Sequence, residues 1–445
     1  MVRRFGRYGV LCVLIAALIL LSGCFTASAE DFYCLPQLSE EYVQLQSKIN
    51  AILGNGAEYS APISGSNRQA VQLHDLDGDG QDEAIAFISV SGSEVPLKII
   101  VFRSDNGEYT EVDRIEGAGT DFESIDYIDM DGDGVQELLV GWKSSSDVKM
   151  LSVYSIRDFQ DSQLFKTGYT QYAFNDLTED GNMDVLVVGT TGSGSNEVEL
   201  YTLSSDEEVV STKALLSTGA QTISRIRTCT LRNGTPAIMT ESVIDRNGTD
   251  GIVTDIFAYI NSSVKNITTD SDGISSDTVR TYNVYSTDIN GDGVIEVPNP
   301  VQLKTQSETT SYWKIEWYNY NRSGQKTLQM TTYHNFSDGW YLVLPGNWGD
   351  ALSVRREDTM SGERTIVFSL MDDFGVVTDF LAVYTISGLN RAERATIDSR
   401  FTLLSENETI YAAEILNYNV GITISAELIK SSFHIIYSDW VTGET

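Results

Sequence analysis

Short apolar runs, interrupted by acidic and glycine-rich turns, dominate the chain from about residue 57 onward. Ala84 to Ile88, Leu138 to Val140 and Val185 to Val188 are each bounded by turn signals and lack polar alternation, the pattern of strands buried on both faces. The stretch from 124 to 168 predicts four strands, Ser124 to Ile128, Glu137 to Trp142, Val148 to Ser155 and Gln163 to Gly168, with polar turns between them. Strand-like runs continue at Tyr312 to Tyr320, Leu328 to Tyr333, Trp340 to Leu344, Thr365 to Leu370 and Phe380 to Ile386. Two segments read as helices. Leu38 to Leu53 places Tyr42, Leu45, Ile49 and Ile52 on one face, with Ser39 as cap and Leu38 and Val43 as staple. Ser425 caps a shorter helix reaching about Phe433, and a strand from Ile435 to Tyr437 is expected to pair with residues near Tyr59 to Ala70.

A repeat underlies the strand pattern. Four segments are alike: Asp75 to Glu83 (DLDGDGQDE), Asp129 to Glu137 (DMDGDGVQE), Asp176 to Asp184 (DLTEDGNMD) and Asp288 to Glu296 (DINGDGVIE). Their starts lie 54, 47 and 112 residues apart, so the last gap spans two periods. A worn copy fills its middle: Ile226 to Glu241 aligns with Asp126 to Gly141, putting Gly234 on Gly134 and Cys229 on Asp129, with the acids lost. Each period holds enough chain for four strands. About two further periods fit between Glu296 and Ile410.

The residue types at this spacing describe an oxygen cage. Positions 1, 3 and 5 of a tight loop aim side-chain oxygens at one centre, the carbonyl of position 7 adds another, and an acid at position 9 completes a shell suited to Ca²⁺. A glycine at position 6 allows the sharp turn. An EF-hand loop is excluded by position 12, which is Ala86, Val140, Val187 and Asn299, and by the strand-like runs that follow. The remaining alternative is a set of acidic turns that bind no metal.

The loops resemble the calcium-loop repeats called VCBS or FG-GAP and, more distantly, the integrin α-subunit propeller, over residues 70 to 300. The Phe-Gly and Gly-Ala-Pro halves of the FG-GAP motif are not recognisable. The resemblance implies an all-β chain, a β-propeller of seven blades with six as the alternative, preceded by a short N-terminal helix. It implies structural Ca²⁺ held by Asp75, Asp77, Asp79, Gln81 and Glu83; by Asp129, Asp131, Asp133, Val135 and Glu137; and by Asp288, Asn290, Asp292, Val294 and Glu296. Asp176, Thr178, Asp180, Asn182 and Asp184 form a less complete set, since Thr178 replaces an acid. It also implies partner contacts away from the metal loops, near connections such as Gly117 and Thr170.

The first 23 residues read as a signal peptide. Arg3, Arg4 and Arg7 precede an apolar run from Val10 to Leu21, about a dozen residues and too short to span a bilayer with ease. Leu21-Ser22-Gly23-Cys24 resembles the lipobox of bacterial lipoproteins, which implies lipidation of Cys24 and an extracytoplasmic protein anchored to the cell membrane by acyl chains alone. The expected organisation is therefore 1–23 signal peptide, 24–56 lipidated cysteine, tether and helix, and 57–445 propeller.

Charge narrows the partners. Lys and Arg number 30 against 63 Asp and Glu, a formal charge of -33, and loss of the leader makes the chain more acidic still. Such a field repels nucleic acid and anionic lipid. Cys34 and Cys229 make no disulfide framework and are read as free thiols, with a single pairing of the two as the alternative, and three histidines without ligand spacing argue against a zinc site. There is no Gly-x-Ser-x-Gly, no phosphate-binding glycine loop and no His-Glu-x-x-His, so no catalytic residue is assigned. The aromatic run around Trp313 and Trp317, with Trp340 and Trp348, reads as core rather than a sugar-stacking platform, because Trp313, Ile315 and Trp317 share a strand face. The function class that remains first is a surface binding or scaffold module for a protein or glycan. A carbohydrate-active enzyme, a polysaccharide lyase or glycosidase, is the alternative.

Overall fold

Three of the four acidic turns join strands, and the fourth, Asp288 to Glu296, runs from an isolated bridge between Thr287 and Glu296 into a strand. The structure, a computed structural model, describes residues 40–436 except 55, 106, 146–147, 191–193, 195, 205–207, 247, 306–309 and 359–360. Cys24, Cys34 and the Ser39 cap lie outside the described residues. The chain forms two compact units, the first holding most of residues up to 118 and the second most of the remainder.

The first unit contains helix α1 (Glu40–Leu53) and one antiparallel sheet, β1 (Ala57–Tyr59), β2 (Val71–His74), β3 (Glu83–Val90), β4 (Leu97–Asp105) and β5 (Glu108–Gly117). β1 and β2 pair in succession along the same edge of β3. Leu45 and Ile49 of α1, with Ile52 beside them, pack on Ala84, Ala86, Ile88, Ile100 and Phe102, whereas Tyr42, expected on the same face, is 38% exposed at the first turn of the helix.

The second unit contains five sheets, each strand antiparallel to its neighbours. The second sheet of the chain is β6 (Asp121–Ile128), β7 (Glu137–Lys143), β8 (Lys149–Ser155) and β9 (Ser162–Gly168); the third is β10 (Gln171–Asn175), β11 (Asp184–Thr190), β12 (Asn196–Leu203) and β13 (Val209–Leu215). The fourth is β14 (Ala220–Thr230), β15 (Pro236–Arg246), β16 (Thr249–Ile260) and β17 (Ser263–Asn266). The fifth begins with β18 (Val297–Gln302), β19 (Trp313–Tyr320), β20 (Lys326–Asn335) and β21 (Trp340–Val343). The sixth is β22 (Leu352–Arg356), β23 (Glu363–Met371), β24 (Val377–Ser387), β25 (Phe401–Ser405) and β26 (Thr409–Ile415), with a one-turn helix α2 (Arg391–Arg394) before β25. Helix α3 (Ala426–Ser432) has Ser425 as its cap, the Oγ accepting the Leu428 N–H.

Alternation along β11 shows how these sheets are held. Val185 and Val187 pack on Leu139, Leu151 and Val153 of the second sheet, while Leu186 and Val188 pack on Ile238 and Phe257 of the fourth. The same division recurs on β15, where Ala237 and Met239 face Val297 and Tyr320 of the fifth sheet. Tyr333, Trp340 and Leu342 then meet Val354, Phe368 and Val383 of the sixth. Successive sheets are thus stacked face to face, and the continuous apolar runs are strands with both faces buried. Each fully buried side chain of this size contributes roughly 1.5–3 kcal/mol. Trp317, Trp340 and Trp348 are among the largest fully buried side chains, so the core reading of the aromatic run holds for them.

The expectation for the C-terminal strand is corrected. β27 (Phe433–Ile435) pairs with β21, Phe433 opposite Leu342, and not with residues near 59–70. The physical reason is the apolar face of α3 and β27: Ile429 and Phe433 belong to the core shared by the fifth and sixth sheets. The worn copy behaves as expected of a turn. Leu231 to Thr235 links β14 to β15, with Asn233 and Gly234 left-handed at φ 79 and 82.

Candidate metal centres

The four acidic segments share one backbone design that the sequence alone does not display. The position-1 carboxylate accepts the N–H of the position-6 glycine in every loop: Asp75 from Gly80 at 2.9 Å, Asp129 from Gly134 at 3.1 Å, Asp176 from Gly181 at 3.0 Å and Asp288 from Gly293 at 2.8 Å. The position-5 carboxylate accepts the N–H two residues on: Asp79 from Gln81, Asp133 from Val135, Asp180 from Asn182 and Asp292 from Val294, all at 2.7 to 2.9 Å. Position 4 is left-handed throughout. It is glycine in three loops and Glu179, φ 61, in the third, which keeps the conformation at a steric cost glycine avoids.

Among the described residues, two groups of three acids bring one oxygen each within 4.8 Å of one another: Asp75, Asp77 and Glu83, and Asp129, Asp131 and Glu137. In the second, the Glu137 Oε2 atom accepts the Met130 N–H at 2.8 Å, and Asp131 accepts the Asp133 N–H at 3.2 Å. Asp75 Oδ1 and Glu137 Oε1, one oxygen in each group, are buried without a hydrogen-bond partner among the described residues. Burial pushes the Glu137 carboxyl up to about 7, with the Met130 N–H opposing and Asp131, Asp129 and Asp133 adding to the rise. Arg157 donates to Asp131 at 3.0 Å and to Asp133, and Arg103 to Asp79 at 3.3 Å. One guanidinium beside four carboxylates leaves an excess of negative charge, and the donor set is oxygen only. That chemistry suits a hard divalent cation.

The other two loops are built differently at the centre. In the third, Asp184 Oδ2 is saturated by the chain itself, accepting from Leu177 N at 2.8 Å, Thr178 N at 2.9 Å and Thr178 Oγ1 at 3.1 Å. Its carboxyl is pushed up to about 6, chiefly by burial. In the fourth, Glu296 accepts the Ile289 N–H at 3.2 Å, and burial pushes it up to about 7. There the Asn290 amide nitrogen lies 3.0 Å from Asp292 Oδ2 and 3.5 Å from Glu296 Oε1, so a donor stands among the acids. The second and third loops also touch: Asp129 O accepts the Met183 N–H at 3.1 Å.

Cys229, aligned with Asp129, is a buried cysteine at the end of β14 with no disulfide partner among the described residues, its thiol pushed up to about 12 by burial. Sequence reasoning missed Arg103 and Arg157, which come from the end of β4 and just beyond β8. Each lies 24 residues beyond the position-5 acid of its loop, Asp79 and Asp133, a spacing at which the third and fourth loops carry Ser204 and Glu316 instead.

No protein-family model matches the chain, and no curated protein matches it. Among solved structures it is similar to a putative 6-phosphogluconolactonase from Bacteroides fragilis, with 10% identity, 84% of this chain and 97% of that chain covered and a TM-score of 0.24. It is similar to the periplasmic gluconolactonase of Pseudomonas aeruginosa, with 9% identity, coverage of 75% and 96% and a TM-score of 0.25. The rhamnogalacturonan lyase YesW gives 9% identity, coverage of 80% and 91% and a TM-score of 0.28.

Proposed function

We infer that the chain is a lipid-anchored extracytoplasmic binding protein, a propeller with VCBS or FG-GAP-type loops stabilised by calcium, which presents its surface to a protein or glycan partner. The observation that carries the reading is the recurrence of one loop design between the first and second strands of the sheets. β2 leads to β3, β6 to β7 and β10 to β11 through the same hydrogen-bond scheme, and in two of these loops three carboxylates converge. With one sheet per blade the described residues supply six, the smaller of the two counts that the repeat spacing allows. The resident ions would be held by Asp75, Asp77 and Glu83 and by Asp129, Asp131 and Glu137. Calcium there supplies charge balance and cross-linking of the loop rather than reaction chemistry.

The test combines three measurements on the full chain expressed in a bacterium. The wild type partitions into detergent and is retained by envelope material prepared from the source cells; Cys24→Ser is released or unprocessed. Chelation lowers the melting temperature. Unchanged partitioning of Cys24→Ser overturns the anchor, and unchanged melting overturns the metal. Release of sugar fragments from envelope polysaccharide, lost on point substitution without loss of stability, replaces the binding reading with the enzyme.

A further inference from the structure

A pocket of about 270 Å³ opens where the first strands of the second, third and fourth sheets come together. Its floor is built from Glu123 and Ser124 of β6 and from Tyr169, just before β10; Gly65 and Thr170 stand exposed at its mouth. The volume lies at the small end of ligand pockets, roughly 300 Å³, and fits one ring-sized unit.

The wall is rigid. The Tyr172 hydroxyl donates to Asp126 Oδ2 at 2.5 Å and lies 2.9 Å from Ser124 Oγ, which ties β10 to β6. Gln171 Nε2 donates to the Ile223 carbonyl at 3.2 Å and ties β10 to β14. Residues 63–67 run along the free edge of β6, with Ser64 N and Oγ both donating to the Glu123 carbonyl at 2.8 and 2.7 Å. Gly141 makes room for the floor, since a Cβ there would lie 2.4 Å from the Tyr169 hydroxyl and 2.6 Å from Ser124 Oγ.

Three atoms of this wall are buried with no hydrogen-bond partner of good geometry among the described residues: Glu123 Oε2, Tyr169 OH and Gln171 Oε1. Leaving such groups unsatisfied costs about 1–3 kcal/mol each. Burial pushes the Tyr169 hydroxyl up to about 12, the neighbouring Ser124 opposing, so the phenol keeps its proton as a donor. Two of the three atoms only accept, and the third does both. A ligand that satisfies all three must therefore offer several hydroxyl or amide hydrogens from one small ring. Charge sets the class further. Glu123 is paired with Lys149 at 2.6 Å and lies 3.7 Å from Lys143, and Asp126 is bound by the Tyr172 hydroxyl, so no cation of the wall is left over to hold an anionic ligand. The aromatic faces of Tyr169 and Tyr172, edge to face at 5.3 Å, supply apolar surface of the kind that meets the C–H face of a sugar ring.

We propose that this pocket binds a single neutral, hydroxyl-rich sugar residue, with Glu123, Tyr169 and Gln171 as its hydrogen-bonding partners. The proposal rests on the binding-protein reading above and makes the partner a glycan. The pocket is on the strands, and the acidic loops lie beyond the C-terminal ends of those strands, so sugar contact and metal are separate.

Saturation-transfer NMR on the calcium-loaded full chain tests it, with glucose, galactose, N-acetylglucosamine and fucose as neutral probes and galacturonate as the charged one. Transfer to at least one neutral sugar is expected. Tyr169→Phe, which removes one oxygen at constant shape, weakens the bound sugar about tenfold at an unchanged melting temperature. Glu123→Gln does the same and guards against a misfolded first variant. Absence of transfer to any neutral sugar, transfer to galacturonate alone, or full transfer in both variants overturns the proposal. Retention of wild-type protein on envelope material is measured beside it. Retention without sugar transfer sinks the pocket and leaves the binding reading standing, whereas sugar transfer without retention does the reverse.

Discussion

Glu137 reaches back seven residues across its own loop, and its Oε2 atom accepts the backbone N–H of Met130 at 2.8 Å. The same clasp joins Asp184 to Leu177 and Glu296 to Ile289. Each clasp fixes the end of the loop at the start of the next strand, so the position-9 acid organises the backbone whether or not an ion is present. In the second loop the clasp uses only one oxygen, and Glu137 Oε1 is left for the centre.

Calcium should therefore stabilise the fold through the first two loops. Extracellular sites bind near ~0.1 mM, so ~1 mM Ca²⁺ adds about 1.4 kcal/mol per site, enough to raise the melting temperature by several degrees for two sites. Glu137→Gln keeps the shape and can keep the Met130 clasp, but removes a charge from the cage. It should lose roughly half of the calcium response in differential scanning calorimetry. A response equal to the wild type would remove Glu137 from the site.

Thr178→Asp should invert its effect with the metal. In chelator the new carboxylate faces Asp184 and Asp180 and loses the Thr178 Oγ1 bond, at a cost of about 1 kcal/mol. With ~1 mM calcium the completed acid set should recover that loss or exceed it. Melting curves with and without calcium decide the point, and a variant destabilised equally in both shows that the third loop holds no ion.

How much of this was legible follows from the range of each signal. The strands of the second sheet lie within a few residues of their predicted bounds, because apolar runs and turn residues are local. The converging acids of the first two loops were legible for the same reason, since all ligands sit inside nine residues. The seat of β27 was not, because Phe433 meets Leu342 across 91 residues and nothing in either segment names the other. The sugar pocket was least legible. Glu123, Tyr169 and Gln171 come from adjacent periods, and each resembles an ordinary strand or turn residue until the strands are brought together.

His334 should make stability depend on acid. It is buried against Trp317, Phe336 and Tyr341, and burial pulls its imidazole down to about 3. The unfolded chain binds this proton near pH 6.5 and the folded chain does not, so the contribution is complete above pH 6.5 and is lost as pH falls toward 3. The total over that window is a few kcal/mol. Denaturant unfolding between pH 7 and 5 should show a shallower decline for His334→Gln than for the wild type, and parallel slopes would exclude the histidine as the cause.

The largest single-residue loss is expected far from any metal loop. Glu241 of β15 is nearly inaccessible, and its Oε1 atom accepts from Arg280 Nη2 at 2.6 Å, from Ser286 N and Oγ at 2.8 Å each, and from Thr254 Oγ1 at 3.2 Å. Arg280 in turn donates to the Val284 and Thr278 carbonyls and to Thr254, fastening the segment between β17 and β18 onto the fourth sheet. Glu241→Ala strands a buried guanidinium, for which the usual cost is about 3–5 kcal/mol. Glu241→Gln keeps an acceptor for Ser286 and should lose less. The ion pair acts beside the backbone pair of Arg280 with Ile252 and the Ser275 bond to Asp255 in anchoring this segment, and since no acid cage is involved calcium should rescue neither variant. A loss below about 1 kcal/mol for Glu241→Ala in equilibrium unfolding, or rescue by calcium, would show that the segment is held by other contacts.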